Sequence, residues 1–77
     1  MQIKVRAFGP LMEIIRTGEV TLPGTADTDS LIQELTHQYP ALGEKKFMIA
    51  VDQKTVFGNT LLTPGSTVAL LPPFSGG

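Results

Sequence analysis

The sequence predicts an α+β fold, a mixed sheet with one main helix packed across it. Three observations predict it. The opening "QIKVRAF" alternates apolar and polar, as a half-buried strand does. One segment, "DTDSLIQELTHQYP", repeats its aliphatics at helical spacing between a capping signal and a proline. The second half returns to short apolar runs broken by turn residues.

In that opening strand, Ile3, Val5 and Ala7 fall on one side, with Gln2, Lys4 and Arg6 on the other. Gly9-Pro10 ends that strand. "PLMEIIR" follows, with Leu11, Ile14 and Ile15 at one-turn spacing and Pro10 suited to a first helical turn, so a short helix is expected. "EVTLP" is a second strand, close enough to the first for a hairpin and ended by Pro23-Gly24. Asp27 or Thr28 caps the main helix, and Asp29 adds favourable charge to its first turn. Leu31, Ile32, Leu35 and Tyr39 form its apolar face, and Pro40 stops it. Ala41 to Lys46 read as a polar connection. "FMIAVD" is too apolar for an exposed strand and is expected to be central in a sheet. "DQKT" holds turn residues, a short strand follows at Val56-Phe57, and Pro64-Gly65 suits a type II turn. "TVALLP" is the last strand, stopped by Pro72 and Pro73. A β-grasp roll is the simplest arrangement with this order, though other topologies share it.

Composition narrows the function. The 77 residues make one domain, and 42% hydrophobic against 17% charged argues against disorder in its body. There is no cysteine, which excludes disulfides, a thiolate nucleophile and a Cys-based zinc site. The net charge is −1 and the basic residues are scattered apart from Lys45-Lys46, so no nucleic-acid footprint is expected. No signal peptide or membrane span is visible, and a cytoplasmic location is the default expectation. His37 is alone on the polar side of the helix, Glu13 and Glu34 are lone carboxylates, and no nucleophile, base and orienter assemble. No metal site and no bound cofactor is expected. The chain is read as a non-enzyme.

The remaining feature is the ending, "LLPPFSGG". We read residues 1–73 as the domain and residues 74–77 as a flexible tail. Pro72-Pro73 stiffen the chain where it leaves the sheet. Four residues beyond them reach about 13 Å. If Val68 and Leu70 face the core, Leu71 faces outward, and Phe74 adds to that apolar surface. Glycines at the tip pass through a channel too narrow for side chains. The chemistry available there is that of the α-carboxylate, ionised at neutral pH with a pKa of about 3.5. It is a poor electrophile until activated, most simply by transfer to AMP from ATP. This chain shows no nucleotide site, so a partner enzyme would use the ATP. The activated acyl group could accept sulfur, giving a thiocarboxylate, or an amine, giving an amide. The plainer alternative is a frayed end with Leu71 and Phe74 packed on the domain.

"IAVDQKTVFGNTLLTPGSTVALLPPFSGG" resembles the C-terminal half of the small, sulfur-carrying subunits of molybdopterin synthase. It is similar, more distantly, to the sulfur carrier ThiS and to ubiquitin. "IKVRAFGPLMEI" and "DTDSLIQELTHQYP" resemble the opening strand and main helix of those proteins, so the likeness covers nearly the whole chain. It implies a ubiquitin-like β-grasp fold. It also implies adenylation of Gly77 by a ubiquitin-activating-like adenylyltransferase and conversion to a thiocarboxylate with sulfur from a donor protein. Gly76 and Ser75 would thread into the large synthase subunit, with Phe74 and Leu71 facing it. There the sulfur would build the dithiolene of molybdopterin, with the catalytic residues on the large subunit. A sulfur carrier for another pathway and a protein modifier joined through Gly77 are the alternatives. Two departures stand out: Met12-Glu13 where the family often has Arg-Glu, and "AVD", with Asp52, where it has "AVN". Glu13 matches a recurrent Glu to which no role is assigned.

Overall fold

A computed structural model describes residues 2–73. The strands are β1 (Gln2–Ala7), β2 (Glu19–Pro23), β3 (Met48–Val51), β4 (Lys54–Val56) and β5 (Thr67–Leu71), with one α-helix, α1 (Thr28–Gln38). They form one sheet in the order β2-β1-β5-β3-β4. β1 and β5 run parallel, and every other pair is antiparallel. This is the expected mixed sheet crossed by one main helix, a ubiquitin-like β-grasp.

The alternation in β1 is realised in full: Ile3, Val5 and Ala7 are buried and their neighbours exposed. Val5 pairs with Val68 and Ala7 with Leu70, so the two central strands present one apolar face. Leu31 and Leu35 of α1 close over it, with Leu11, Ile15, Leu22 and Leu62 around them. Each such side chain contributes about 1.5–3 kcal/mol on leaving water.

One local reading is narrowed and three are corrected. The short helix expected after Pro10 is a 3₁₀ helix, Gly9–Glu13, and bonds from the Ile14 and Ile15 N–H groups to the Leu11 carbonyl and from the Gly18 N–H to the Ile15 carbonyl carry the chain on in turns towards β2. Residues 41–46 are not simply a polar connection. Pro40–Glu44 form a second 3₁₀ turn that places Leu42 in the core at 1% exposure. A single leucine has no period to reveal it. The strand read at Val56-Phe57 runs instead over Lys54–Val56. Asp52 and Gln53, both at positive φ, make a two-residue turn that starts β4 early. Phe57 thereby falls outside β4 and is exposed. β3 has a strand on each side, as expected of an interior strand, but the centre of the sheet is β5. The turn at Pro64-Gly65 is present, with Gly65 at φ 83 and the Ser66 N–H donating to the Thr63 carbonyl at 3.0 Å.

The start of α1 is held from a distance. The Asp27 carboxylate accepts from the Ser30 N–H at 2.9 Å. Asn59 Oδ1 accepts from the Asp29 N–H at 2.9 Å, and Asn59 Nδ2 donates to Asp27 at 3.1 Å. Thr28, buried, exchanges bonds with the Thr60 backbone at 2.9 Å each. Asn59 thus takes one of the orphan N–H groups that a helix N-terminus leaves and braces the Asp27 carboxylate that takes another. Asn59→Ala is expected to cost about 1 kcal/mol, read as a lower melting temperature with unchanged helix content. Hydrogen bonds from Ser30 first, then Asn59, hold the Asp27 carboxyl below its ordinary value of 3.8. Because the folded value is depressed, its stabilisation is complete above that ordinary value and is lost as pH falls through the lower folded one. Asp27→Asn keeps a cap without the charge. It should flatten the decline in melting temperature below about pH 4, and an unchanged acid limb would remove Asp27 from the explanation.

Candidate functional site at the open sheet face

The helix covers only one face of the sheet. The other carries the outward residues of the three inner strands: Lys4 and Arg6 on β1, Thr67, Ala69 and Leu71 on β5, and Met48 and the buried Ala50 on β3. Register places them together. Arg6 lies beside Ala69, Ala69 beside Ala50, and Leu71 beside Met48. At the strand end where β5 stops, Leu71 and Met48 are half-buried against each other. Phe8 continues the outward side of β1 there and is 41% exposed. Its N–H donates to the Leu70 carbonyl at 3.1 Å, so the aromatic is tied to the last core residue of β5.

The centre of this face is low. Ala69 and Ala50 have only methyl groups, and a shallow groove runs between Arg6, Phe8, Thr67, Ala69 and the Asp52-Gln53 turn. A sheet face of small residues edged by Phe8, Leu71 and Met48 lets another protein surface approach the backbone closely. Charge is kept to the margin. Arg6 Nε lies 3.3 Å from Glu19 Oε1, and Lys4 Nζ 4.0 Å from Glu19 Oε2. Such exposed pairs add little to stability, but they leave the apolar strip between them and the tail exit uncharged.

The far margin is fixed by Asp52. Its Oδ1 accepts from the Thr67 N–H at 3.0 Å, and its own N–H donates to the Thr67 carbonyl at 2.8 Å. Positive φ with an acceptor oxygen is a position that asparagine fills equally well. The departure from "AVN" to "AVD" therefore leaves this margin's geometry intact.

Of the residues singled out in the sequence, Leu71 is where it was expected, on the face opposite Val68 and Leu70. Phe74, Ser75, Gly76 and Gly77, and with them the boundary drawn at residue 73, lie outside the described residues. Glu13 is exposed at the end of the first 3₁₀ turn, and His37 is exposed in the last turn of α1. Phe8 and Met48 join the site without having been singled out. Phe8 was findable, since the alternation that buries Ile3 and Val5 puts it outward with Lys4 and Arg6. Met48 needed the register with Leu71. Among the described residues, no three His, Cys, Asp or Glu side chains gather as a metal site would need, and no helix is long and apolar enough to cross a membrane.

Beyond Leu71 the path is set by Pro72, whose ring lies on Gly9. A Cβ at Gly9 would stand 3.2 Å from Pro72 Cγ. Gly9 itself has φ 60.

Residues 5–77 match the profile of the ThiS family. The chain is 35% identical to the molybdopterin synthase sulfur carrier subunit of Chlamydomonas reinhardtii, with 100% of both chains covered. Its fold is similar to that of small archaeal modifier protein 1 from Methanosarcina acetivorans, at 26% identity and a TM-score of 0.82, covering 99% of this chain and 96% of that one. It is also similar to a chain in the complex of subunits 1 and 2 of the molybdopterin-converting factor of Helicobacter pylori 26695. There the identity is 26% and the TM-score 0.74, with 100% of both chains covered.

Proposed function

The chain belongs to the ThiS family, and from that premise we propose that it carries sulfur for the dithiolene of molybdopterin on the carboxyl group of Gly77. The observation that carries this reading is the apolar edge of Phe8, Leu71 and Met48 at the strand end that Pro72 leaves, in a chain similar along its whole length to a molybdopterin synthase sulfur carrier subunit. The role needs two things of the domain, a surface that docks and an end that reaches. The open face supplies the first.

The chemistry falls to partners. A carboxylate oxygen of Gly77 attacks the α-phosphorus of ATP on a ubiquitin-activating-like adenylyltransferase, and pyrophosphate leaves. Sulfide-level sulfur delivered by a donor protein then attacks the acyl carbon, a C–S bond forms as the C–O bond to AMP breaks, and AMP leaves behind a thiocarboxylate. With the open face docked on the large subunit of molybdopterin synthase, Ser75 and Gly76 thread inward and Gly77 presents its sulfur to the pterin precursor. Catalytic residues are on that large subunit, and this chain contributes position and one reactive atom. We place these steps in the cytoplasm. The complex of subunits 1 and 2 of the Helicobacter pylori factor supports such a partner.

The likeness to a small archaeal modifier protein favours a second reading, conjugation through Gly77 to an amine of a target. The ThiS family match leaves open a carrier for another sulfur pathway. Intact-mass measurement on the protein from its own cells separates them. Oxygen replaced by sulfur at the C-terminus is expected. A ladder of heavier conjugates instead favours the modifier, and an end inert to activating enzymes and ATP refutes both.

A further inference from the structure

We propose that Gly9 is a positioning residue: its lack of a side chain seats the Pro72 ring and so sets the direction in which the chain leaves the sheet. A methyl group at Gly9 would lie 3.2 Å from Cγ, 3.6 Å from Cδ and 3.8 Å from Cβ of Pro72, so the ring rests on the position that a side chain would fill.

The two sides of this contact are unequally held. Gly9 lies between firm anchors. The Phe8 N–H donates to the Leu70 carbonyl at 3.1 Å, the Leu11 N–H to the Phe8 carbonyl at 3.3 Å, and Leu11 is buried in the core. Pro72 follows the last ladder pair, Leu71 with Met48, and has no N–H to bond. If a methyl group is placed between them, Pro72 is the side that gives. Its ring is bonded directly to Pro73, and two successive prolines transmit a tilt instead of absorbing it. A shift of a few tenths of an ångström at the ring therefore changes the direction in which the chain leaves Pro73. The stiffness of Pro72-Pro73 then fixes the exit from the sheet only because Gly9 seats the first ring.

Gly9 has a second reason to be glycine, its positive φ, which would strain any L-residue. The two reasons separate in a double-mutant cycle, because strain at Gly9 does not depend on what stands at position 72, whereas the collision does. Ser75→Cys provides a single thiol in a chain without cysteine, and a nitroxide attached to it broadens nearby backbone amide signals. The map of broadened amides reports where the tail points, and no partner is needed.

Gly9→Ala is expected to move the broadening map when Pro72 is present and to leave it unchanged in the Pro72→Ala background. Both pairs should show the same small loss of melting temperature from strain. An unchanged map with Pro72 present overturns the proposal. So does an equal change in both backgrounds, which would make strain the cause.

The functional consequence rests on the sulfur-carrier reading. Misdirection of a reacting end by about 1 Å can cost on the order of a hundredfold in rate. Gly9→Ala should therefore lower the efficiency of Gly77 adenylation by about tenfold or more, and much less once Pro72 is alanine. If the parent chain accepts no adenylate, the carrier reading fails, while the broadening map still decides the role of Gly9.

Discussion

Deleting Gly77 is expected to abolish thiocarboxylate formation and leave the melting temperature within about 1 °C of the parent. The expectation has two physical halves. The acyl group to be activated must lie at a fixed distance from the docking face, and four residues beyond Pro73 span only about 13 Å. Removing one withdraws the carboxylate by about 3.3 Å, further than a near-attack geometry tolerates, and the loss should be complete at the sensitivity of intact-mass detection. The stability half follows from the core. Its described members end at Leu70, which is fully buried, and Leu71 is already on the other face. A terminal glycine adds no apolar area to that core. Measured together, mass and melting curve separate the outcomes. Persistent sulfur on the shortened chain would refute the role of Gly77, and a melting temperature lowered by several degrees would mean that the tail is structural.

The second large effect is expected at Leu71. Leu71→Asp should weaken binding to the large synthase subunit by on the order of a hundredfold, equivalent to about 2.7 kcal/mol. A carboxylate at the middle of the apolar edge formed by Phe8, Leu71 and Met48 would have to lose its water on docking without a partner charge. The fold should notice much less. Leu71 is half-buried against Met48, and an aspartate there can turn to solvent. Leu70→Ala is the contrast. Leu70 sits between Ala7 and Ile49 with no exposure, and truncation should cost about 2–5 kcal/mol of stability. Titration calorimetry against the large subunit and thermal melts of both variants check the pair. Undiminished affinity in Leu71→Asp, or a loss of stability as large as that of Leu70→Ala, would overturn the docking face.

The neighbouring residues 70 and 71 show how much of the site was legible. In a strand the side chains alternate strictly, so once Val68 is buried, Leu70 must be inward and Leu71 outward. That inference needs no partner strand. Phe8 was open to the same inference, from the alternation of β1. Ala50 and Ala69 were not. Nothing in "FMIAVD" says that its alanine will lie beside that of "TVALL", since register between segments nearly twenty residues apart is a property of pairing. Asn59 is harder still. Its bonds to Asp27 and Asp29 span about thirty residues, and in the sequence it is one polar residue in a turn-rich stretch.

By itself, the sequence determined the α+β class, the inward and outward sides of β1 and β5, the extent of α1, and a proline-stiffened, glycine-tipped ending with a resemblance to sulfur carriers. These rest on spacing within a few residues, where sterics and local burial decide the outcome. The tertiary structure alone decided that β5 enters between β1 and β3, that Leu42 completes the core, that Asp52 ties the turn to Thr67, and that Gly9 meets Pro72. Each of these joins residues far apart in the chain. Such contacts depend on how whole elements pack around one core, and no local periodicity encodes that.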